Sequence, residues 1–168
     1  MAEIKLNGGN TKTSGPLPCE GNAAPNAEFV NKDLKILSLK DFTERWAVLN
    51  VFPSLDTPVC AMSVRRFNTE AASLPDAVVL CISADLPFAH KRFCETEGIE
   101  NVENLSVFRN PEFGELYGLT IASGPLAGLL ARAVLVIDPF GKIAYTQLVP
   151  EITEEPDYED VLQFMKSR

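Results

Sequence analysis

Trp46-Ala47-Val48-Leu49-Asn50-Val51-Phe52, followed by Pro53-Ser54-Leu55-Asp56-Thr57-Pro58-Val59-Cys60, decides how this chain is read. The first seven residues form a continuous apolar, β-rich run, the pattern of a buried strand. Beyond them, Val59, Met62, Phe67 and Ala71 recur at roughly helical spacing between Pro58 and Leu74. Thr57 suits the N-cap and Pro58 the first helical position. Cys60 then sits in the first turn, beside free backbone N–H groups and the positive end of the helix dipole. Thiolates are favoured in such places, and the thiolate is the nucleophilic form. The competing reading is a small buried hydrophobe, which is what most free cysteines are.

Outward from this unit, Ala77 to Ile82 is a second fully apolar strand. Asp85 is placed to cap a helix beginning near Pro87, and Gly98-Ile99 has the form of its C-terminal stop. Val102 to Phe108 reads as a weaker strand, and Asn110-Pro111 opens a short helix ending near Gly118. Arg132 to Ile137 is a strong strand, and Asp138-Pro139-Phe140-Gly141 has the signature of a type I turn. Lys142 to Val149 returns as its partner. Thr153 and Pro156 start a last helix with Tyr158, Val161, Leu162 and Met165 on one face.

On the N-terminal side, Glu3 to Asn7 and Thr11 to Thr13 flank the hairpin signal Gly8-Gly9-Asn10. A loop rich in Pro and Gly runs from Gly15 to Pro25. Two short strands follow, Ala27 to Val30 and Leu34 to Leu37, then one helical turn at Leu39 to Phe42. Apolar strands alternating with helices imply an α/β fold with a central sheet covered on both faces. The expectation is one domain over residues 1–168, with residues 1–26 as a hairpin and loop extension.

The 168 residues suffice for one full core, and 46% hydrophobic with 23% charged residues is the balance of a soluble globular protein. The net charge of -8 and the lack of a basic stripe argue against nucleic acid or an anionic membrane surface as partner. The segment Met1 to Lys5 does not resemble a signal peptide, and Gly124 to Ile137 is too short and too interrupted by Arg132 to span a bilayer. A cytoplasmic location is expected. In a reducing compartment, four cysteines do not make a disulfide scaffold.

Cys94 lies in the helix Phe88 to Glu97, 34 residues beyond Cys60, so the pair is not a Cys-x-x-Cys motif. One member of a distant pair can attack and become a sulfenic acid, which the other then condenses with. Cys94 is equally readable as helix core, framed by Ala89, Phe93 and Glu97. Cys81, within an apolar strand, reads as packing, and Cys19 as a loop residue with nothing to activate it. Arg132, among Leu129, Leu130, Ala131, Ala133, Val134 and Leu135, needs a partner. That partner is either an acidic residue or the Cys60 thiolate, whose charge it would stabilise together with a bound oxygen. The single His90 stands beside no nucleophile in sequence, and His90 with Cys94 supplies only two metal ligands. With no G-x-G-x-x-G or P-loop either, no cofactor is expected.

The chain resembles the peroxiredoxins, and more narrowly the bacterial thiol peroxidase branch of the atypical two-cysteine type. The resemblance rests on Pro53-x-x-x-Thr57-x-x-Cys60, on Ser63-Val64-Arg65-Arg66-Phe67-Asn68, on Cys81-Ile82-Ser83-Ala84-Asp85-Leu86-Pro87-Phe88-Ala89, on Arg92-Phe93-Cys94, and on Gly124-Pro125-Leu126 through Arg132-Ala133. The tail from Glu151 to Tyr158 fits as well. It implies a thioredoxin-like fold with an N-terminal β-hairpin, and a homodimer. It implies that Cys60 is the peroxidatic nucleophile, that Pro53, Thr57 and Arg132 bind and orient the peroxide, and that Cys94 resolves it through an intrasubunit Cys60–Cys94 disulfide. Thioredoxin would be the reductant, and hydrogen peroxide and alkyl or lipid hydroperoxides the substrates. A thiol–disulfide oxidoreductase acting on proteins, or a redox-switch protein using the same cysteine pair, would carry much the same residues.

Overall fold

The apolar run from Trp46 is a strand, β5 (Trp46–Val51), in the interior of a seven-stranded sheet. A computed structural model describes residues 1–42 and 44–168. Before β5 come a hairpin, β1 (Glu3–Leu6) and β2 (Gly9–Lys12), then β3 (Glu28–Asn31), β4 (Ile36–Ser38) and a 3-10 turn at Leu39–Phe42. After it come α1 (Pro58–Ala71), β6 (Ala77–Ser83), α2 (Pro87–Glu97), β7 (Glu103–Ser106), α3 (Glu112–Leu116), β8 (Ala133–Ile137), β9 (Ile143–Leu148) and α4 (Tyr158–Ser167). The strands run in the order β4-β3-β7-β6-β5-β8-β9. The pairs β5–β6 and β6–β7 are parallel, and the outer pairs are antiparallel.

Strand alternation divides the core in two. Ala47, Leu49 and Val51 of β5, with Leu80, Ile82, Leu135 and Ile137, pack against Ile4 of the hairpin and Phe113 and Tyr117 of the α3 region. Val48, Val79, Cys81, Val134 and Val136 pack against α1, α2 and α4 through Val64, Phe67, Phe93, Val161 and Met165. Burying side chains of this kind contributes roughly 1.5–3 kcal/mol each. The expectation of a sheet covered on both faces holds, with three of the four helices on one side.

Several local expectations shift by a few residues. The hairpin turn is Asn7-Gly8, since Leu6 pairs with Gly9; both turn residues have positive φ, 51° and 80°, as a two-residue hairpin turn demands. Helix α1 ends at Ala71 rather than Leu74. Asp85 does not cap α2; Leu86 holds that position and the Asp85 carboxylate turns toward the loop before α1. Asp157, not Thr153 or Pro156, caps α4, accepting from Asp160 N–H at 3.0 Å. Gly98 does stop α2: it is left-handed at φ 67°, and Ile99 N–H returns to the Cys94 carbonyl at 3.0 Å. Among the described residues, no helix is long and apolar enough to cross a membrane.

Candidate active site

Two chain segments meet where β5 ends. Residue Val51 pairs with Ala133 of the antiparallel neighbour β8, so Arg132, one residue earlier, is brought beside the turn that leads from β5 into α1. Cys60 is in the first turn of that helix and has no solvent exposure; Arg132 is 1% exposed. The Arg132 guanidinium donates Nη2–H to Cys60 Sγ at 3.2 Å and Nε–H to the Ile152 carbonyl at 2.9 Å. Its Nη1 is buried with no hydrogen-bond partner among the described residues. No carboxylate pairs with Arg132 among the described residues. The acidic partner that sequence left open for this cation is therefore replaced by a sulfur atom.

Helix α1 starts under the constraint of Pro58, which has no N–H to leave unpaired. The N–H groups of Val59 and Cys60 lie in the turn where no intrahelical acceptor exists, and they end the helix dipole beside the thiol. Thr57 occupies the N-cap position, but its hydroxyl does not cap the helix. It donates instead to the Ser54 carbonyl at 2.9 Å, which leaves its oxygen lone pairs available. Pro53 is buried at the end of β5. The Ser54–Thr57 turn is anchored by Asp85, which accepts from Ser54 Oγ at 2.7 Å and from Leu55 N–H at 2.8 Å. Inside α1, Ser63 Oγ donates to the Cys60 carbonyl at 2.8 Å and accepts from Asn50 Nδ2 at 3.2 Å.

Cys94 lies on the inward face of α2, packed into the same core as Cys60. Its sulfur is 3.0 Å from the side-chain amide of Asn104 on β7. Burial pushes the Cys94 thiol up from the ordinary range. Cys81 is enclosed within β6, and burial pushes its thiol up to about 12, which suits the packing role read from sequence. Cys19 is exposed. All four cysteines are free thiols.

An open groove of about 320 Å³ runs between the start of α1 and α2, lined by Thr57, Pro58, Ala61, Arg92 and Phe93 among others. Two surface ion pairs cross it, Arg92–Asp56 at 3.0 Å and Arg65–Glu97 at 2.8 Å. In the apolar loop from Leu119 to Leu130, Leu119, Ile121 and Leu130 are buried in the core, whereas Ala122 to Pro125, Ala127 and Gly128 are exposed. Residues Ile121, Pro125 and Leu126 also line a second groove with Leu6 and Ile152, adjoining the Ile152 carbonyl that holds Arg132. Sequence reasoning missed Asn50, Asp85 as an anchor, and Asn104. Asn50 is a polar residue in an apolar strand, Asn104 lies in the mixed strand β7 and Asp85 just beyond β6, and only the register of β5, β6 and β7 brings the two asparagines under the helices. No group of three or more His, Cys, Asp or Glu side chains able to hold a metal occurs among the described residues.

Comparison with known proteins agrees with this fold. The family model described as Redoxin matches residues 19–162. The thiol peroxidase of Mycobacterium tuberculosis is 54% identical over 162 residues, 96% of this chain and 97% of that protein. The thiol peroxidase of Corynebacterium glutamicum is 55% identical over 96% of this chain and 98% of its own length. The crystal structure of a peroxiredoxin-like protein from Aquifex aeolicus superposes with a TM-score of 0.94 at 43% identity, covering 99% of this chain and 97% of that one. A thioredoxin-like sheet with an N-terminal hairpin, a Cys60–Arg132 contact at a helix start, and near full-length identity above 50% together place this chain in the Redoxin family, among the thiol peroxidases.

Proposed function

We propose that the protein is a thiol-dependent peroxidase that reduces hydrogen peroxide and organic hydroperoxides to water and alcohols. The observation that carries this is the buried Arg132 with Nη2 on Cys60 Sγ and Nη1 unpartnered. A buried cation without a carboxylate is costly, and a Cys60 thiolate is the counter-charge at hand. The spare Nη1–H is a donor with no acceptor among the described residues, which is what a group that receives a peroxide oxygen needs.

In this reading the Cys60 thiolate attacks the terminal oxygen of the hydroperoxide in line with the O–O bond. The S–O bond forms and keeps the hydrogen of the attacked oxygen, the O–O bond breaks, and the second oxygen leaves with the bond's electron pair and takes a proton from solvent to become water or alcohol. Negative charge spreads from sulfur onto both oxygens in the transition state. Arg132 and the first-turn N–H groups of α1 stabilise that charge where it develops. The Thr57 hydroxyl, already donating to Ser54, accepts a hydrogen bond from the peroxide O–H. Pro53 walls the site and keeps water from the thiol.

Cys94 then resolves the Cys60 sulfenic acid by an intrasubunit disulfide. A disulfide needs Cα atoms within about 7 Å, which two residues on separate packed helices reach by local unwinding of the first turn of α1, of the Cys94 segment, or of both. The Arg92–Asp56 and Arg65–Glu97 pairs that tie these segments lie at the surface, where solvent screening leaves such pairs little holding power. Thioredoxin re-reduces the disulfide, and a reducing cytoplasm suits four free thiols. The chain works as one domain, and as a homodimer: Leu34, Leu86, Phe88 and Phe108 are exposed around one groove and form an apolar patch for a second copy. The apolar groove beside Ile152 favours organic hydroperoxides as well as hydrogen peroxide.

A coupled assay tests the reading. With thioredoxin, thioredoxin reductase and NADPH, NADPH oxidation is expected to match added cumene hydroperoxide or hydrogen peroxide mole for mole. Reduction of a protein disulfide with no peroxide consumed would instead make the chain a thiol–disulfide oxidoreductase.

A further inference from the structure

Glu151 lies outside the Cys60–Arg132 contact, yet several hydrogen bonds converge on its carboxylate. Oε1 accepts from Asn7 N–H at 2.9 Å and Oε2 from Gly8 N–H at 3.0 Å, so the carboxylate spans the turn of the N-terminal hairpin. Oε1 also accepts from Thr153, through its N–H at 3.2 Å and through its hydroxyl at 2.8 Å. These donors, the Gly8 N–H first among them, hold the Glu151 carboxyl well below the usual carboxylate range. The group is therefore charged wherever thiol chemistry runs. Among the described residues no ion pair claims it, so backbone and hydroxyl dipoles carry the contact.

The same segment carries the support of Arg132. Ile152 and Thr153 share one planar peptide group, whose N–H donates to Glu151 and whose carbonyl receives Arg132 Nε–H at 2.9 Å. A peptide plane fixed at its N–H has its carbonyl direction fixed as well. Strand β1 reinforces it: Lys5 N–H donates to the Pro150 carbonyl at 2.7 Å, and the Lys5 carbonyl accepts Ile152 N–H at 2.9 Å. Val149 N–H donates to the Arg132 carbonyl at 3.0 Å, so residues 149–152 grip Arg132 at its backbone and at its side chain. The guanidinium is a rigid plane with its donors in fixed directions. Anchoring Nε on Ile152 thus decides where the other two nitrogens point, and Nη2 reaches Cys60 Sγ while Nη1 stays unpartnered.

We propose that Glu151 is a positioning residue for the peroxide site: by clamping the hairpin turn Asn7-Gly8 and the Ile152–Thr153 peptide together, it sets the plane of the Arg132 guanidinium toward Cys60. The proposal rests on Arg132 acting on the peroxide. Glu151 itself touches neither the sulfur nor the substrate. The hairpin is a two-stranded unit outside the seven-stranded sheet, and the clamp makes it part of the support of the site. The clamp bears on the first chemical step alone, because Cys94 Sγ takes its hydrogen bond from Asn104 on β7, outside these residues.

Two measurements test this. The first needs no peroxide chemistry. In reduced protein labelled with nitrogen-15 at arginine, the Arg132 Nε–H is the resonance that is absent from Arg132→Lys. It is expected to be protected from hydrogen exchange in the wild type and to exchange at least about tenfold faster in Glu151→Ala, as its carbonyl partner is released. Unchanged protection in the folded variant would overturn the clamp whether or not the protein is a peroxidase. The second follows oxidation by rapid-quench intact mass at several hydrogen peroxide concentrations. The oxygen-gain rate constant, which scales with peroxide, is expected to fall about tenfold in Glu151→Ala, less than the roughly hundredfold that a full ångström of misplacement can cost. The disulfide-forming rate constant, which does not scale with peroxide, is expected to be unchanged. Glu151→Gln keeps one acceptor oxygen and the shape of the side chain, and is expected to fall between wild type and Glu151→Ala in both measurements. Cumene hydroperoxide is expected to show the same factor as hydrogen peroxide. Lower stability in urea with the oxygen-gain constant unmoved would mean that Glu151 only fastens the hairpin. Slowing of both phases alike would mean a general loosening, and slowing confined to cumene hydroperoxide would mean that Glu151 shapes the groove beside Ile152. Each of these results overturns the proposal. Absence of any oxygen-gain phase in the wild type would instead defeat the peroxidase reading, and the Nε–H exchange would still decide the clamp.

Discussion

Cys60 and Cys94 are both buried thiols on helices that pack over the same face of the sheet, yet their surroundings oppose each other. Cys60 has a guanidinium at 3.2 Å and a helix N-terminus beside it. Cys94 is two turns into its helix, faces a neutral amide, and is held in the thiol form by burial. Position within the helix and the charge of one neighbour thus give two buried thiols opposite electrostatic settings, the contrast on which the proposed roles rest. Cys81 shows the third case, a cysteine with neither feature, buried for packing alone.

The harshest way to break the contrast is Cys60→Ser. Stopped-flow peroxide consumption should fall at least about a thousandfold, since among the described residues no other thiol is hydrogen-bonded by a guanidinium. Arg132→Lys comes next. It keeps the charge but removes the planar fork that spans Cys60 and Ile152, and the first-step rate constant should drop about a hundredfold. Normal peroxide kinetics in that variant would reduce Arg132 to a structural residue. Asp85→Ala should leave Ser54, Leu55 and Ser83 without their acceptor and lower stability in urea unfolding by roughly 2–3 kcal/mol. The smallest effect belongs to Cys81→Ala: peroxidase turnover unchanged within about twofold, and a stability loss of roughly 1–2 kcal/mol from the small cavity left in β6.

Much of this contrast was legible in the sequence because its signals are local. The apolar run from Trp46, the Thr57-Pro58 helix start and the Gly98 stop each depend on residues a few positions apart. The placement of Arg132 against Cys60 depends on β8 pairing with β5, a contact across more than 80 residues of chain between Val51 and Ala133 that no local pattern encodes. The same holds for the polar row beneath the helices. Asn50 pairs with Cys81 and Cys81 with Asn104 across three strands, so three unremarkable positions in separate segments become one buried layer. Asp85 was misplaced as a helix cap because its type and position suit one; the backbone of Leu55 and the hydroxyls of Ser54 and Ser83 competed for the carboxylate and won.

The division of labour between the two thiols is tested most directly by intact mass. Reduced wild-type protein and Cys94→Ser are each treated with one equivalent of cumene hydroperoxide and quenched. The wild type should lose two hydrogens, and the variant should gain one oxygen at Cys60. An unchanged mass in both would contradict a peroxidatic Cys60, and loss of two hydrogens in the variant would show that a cysteine other than Cys94 resolves it.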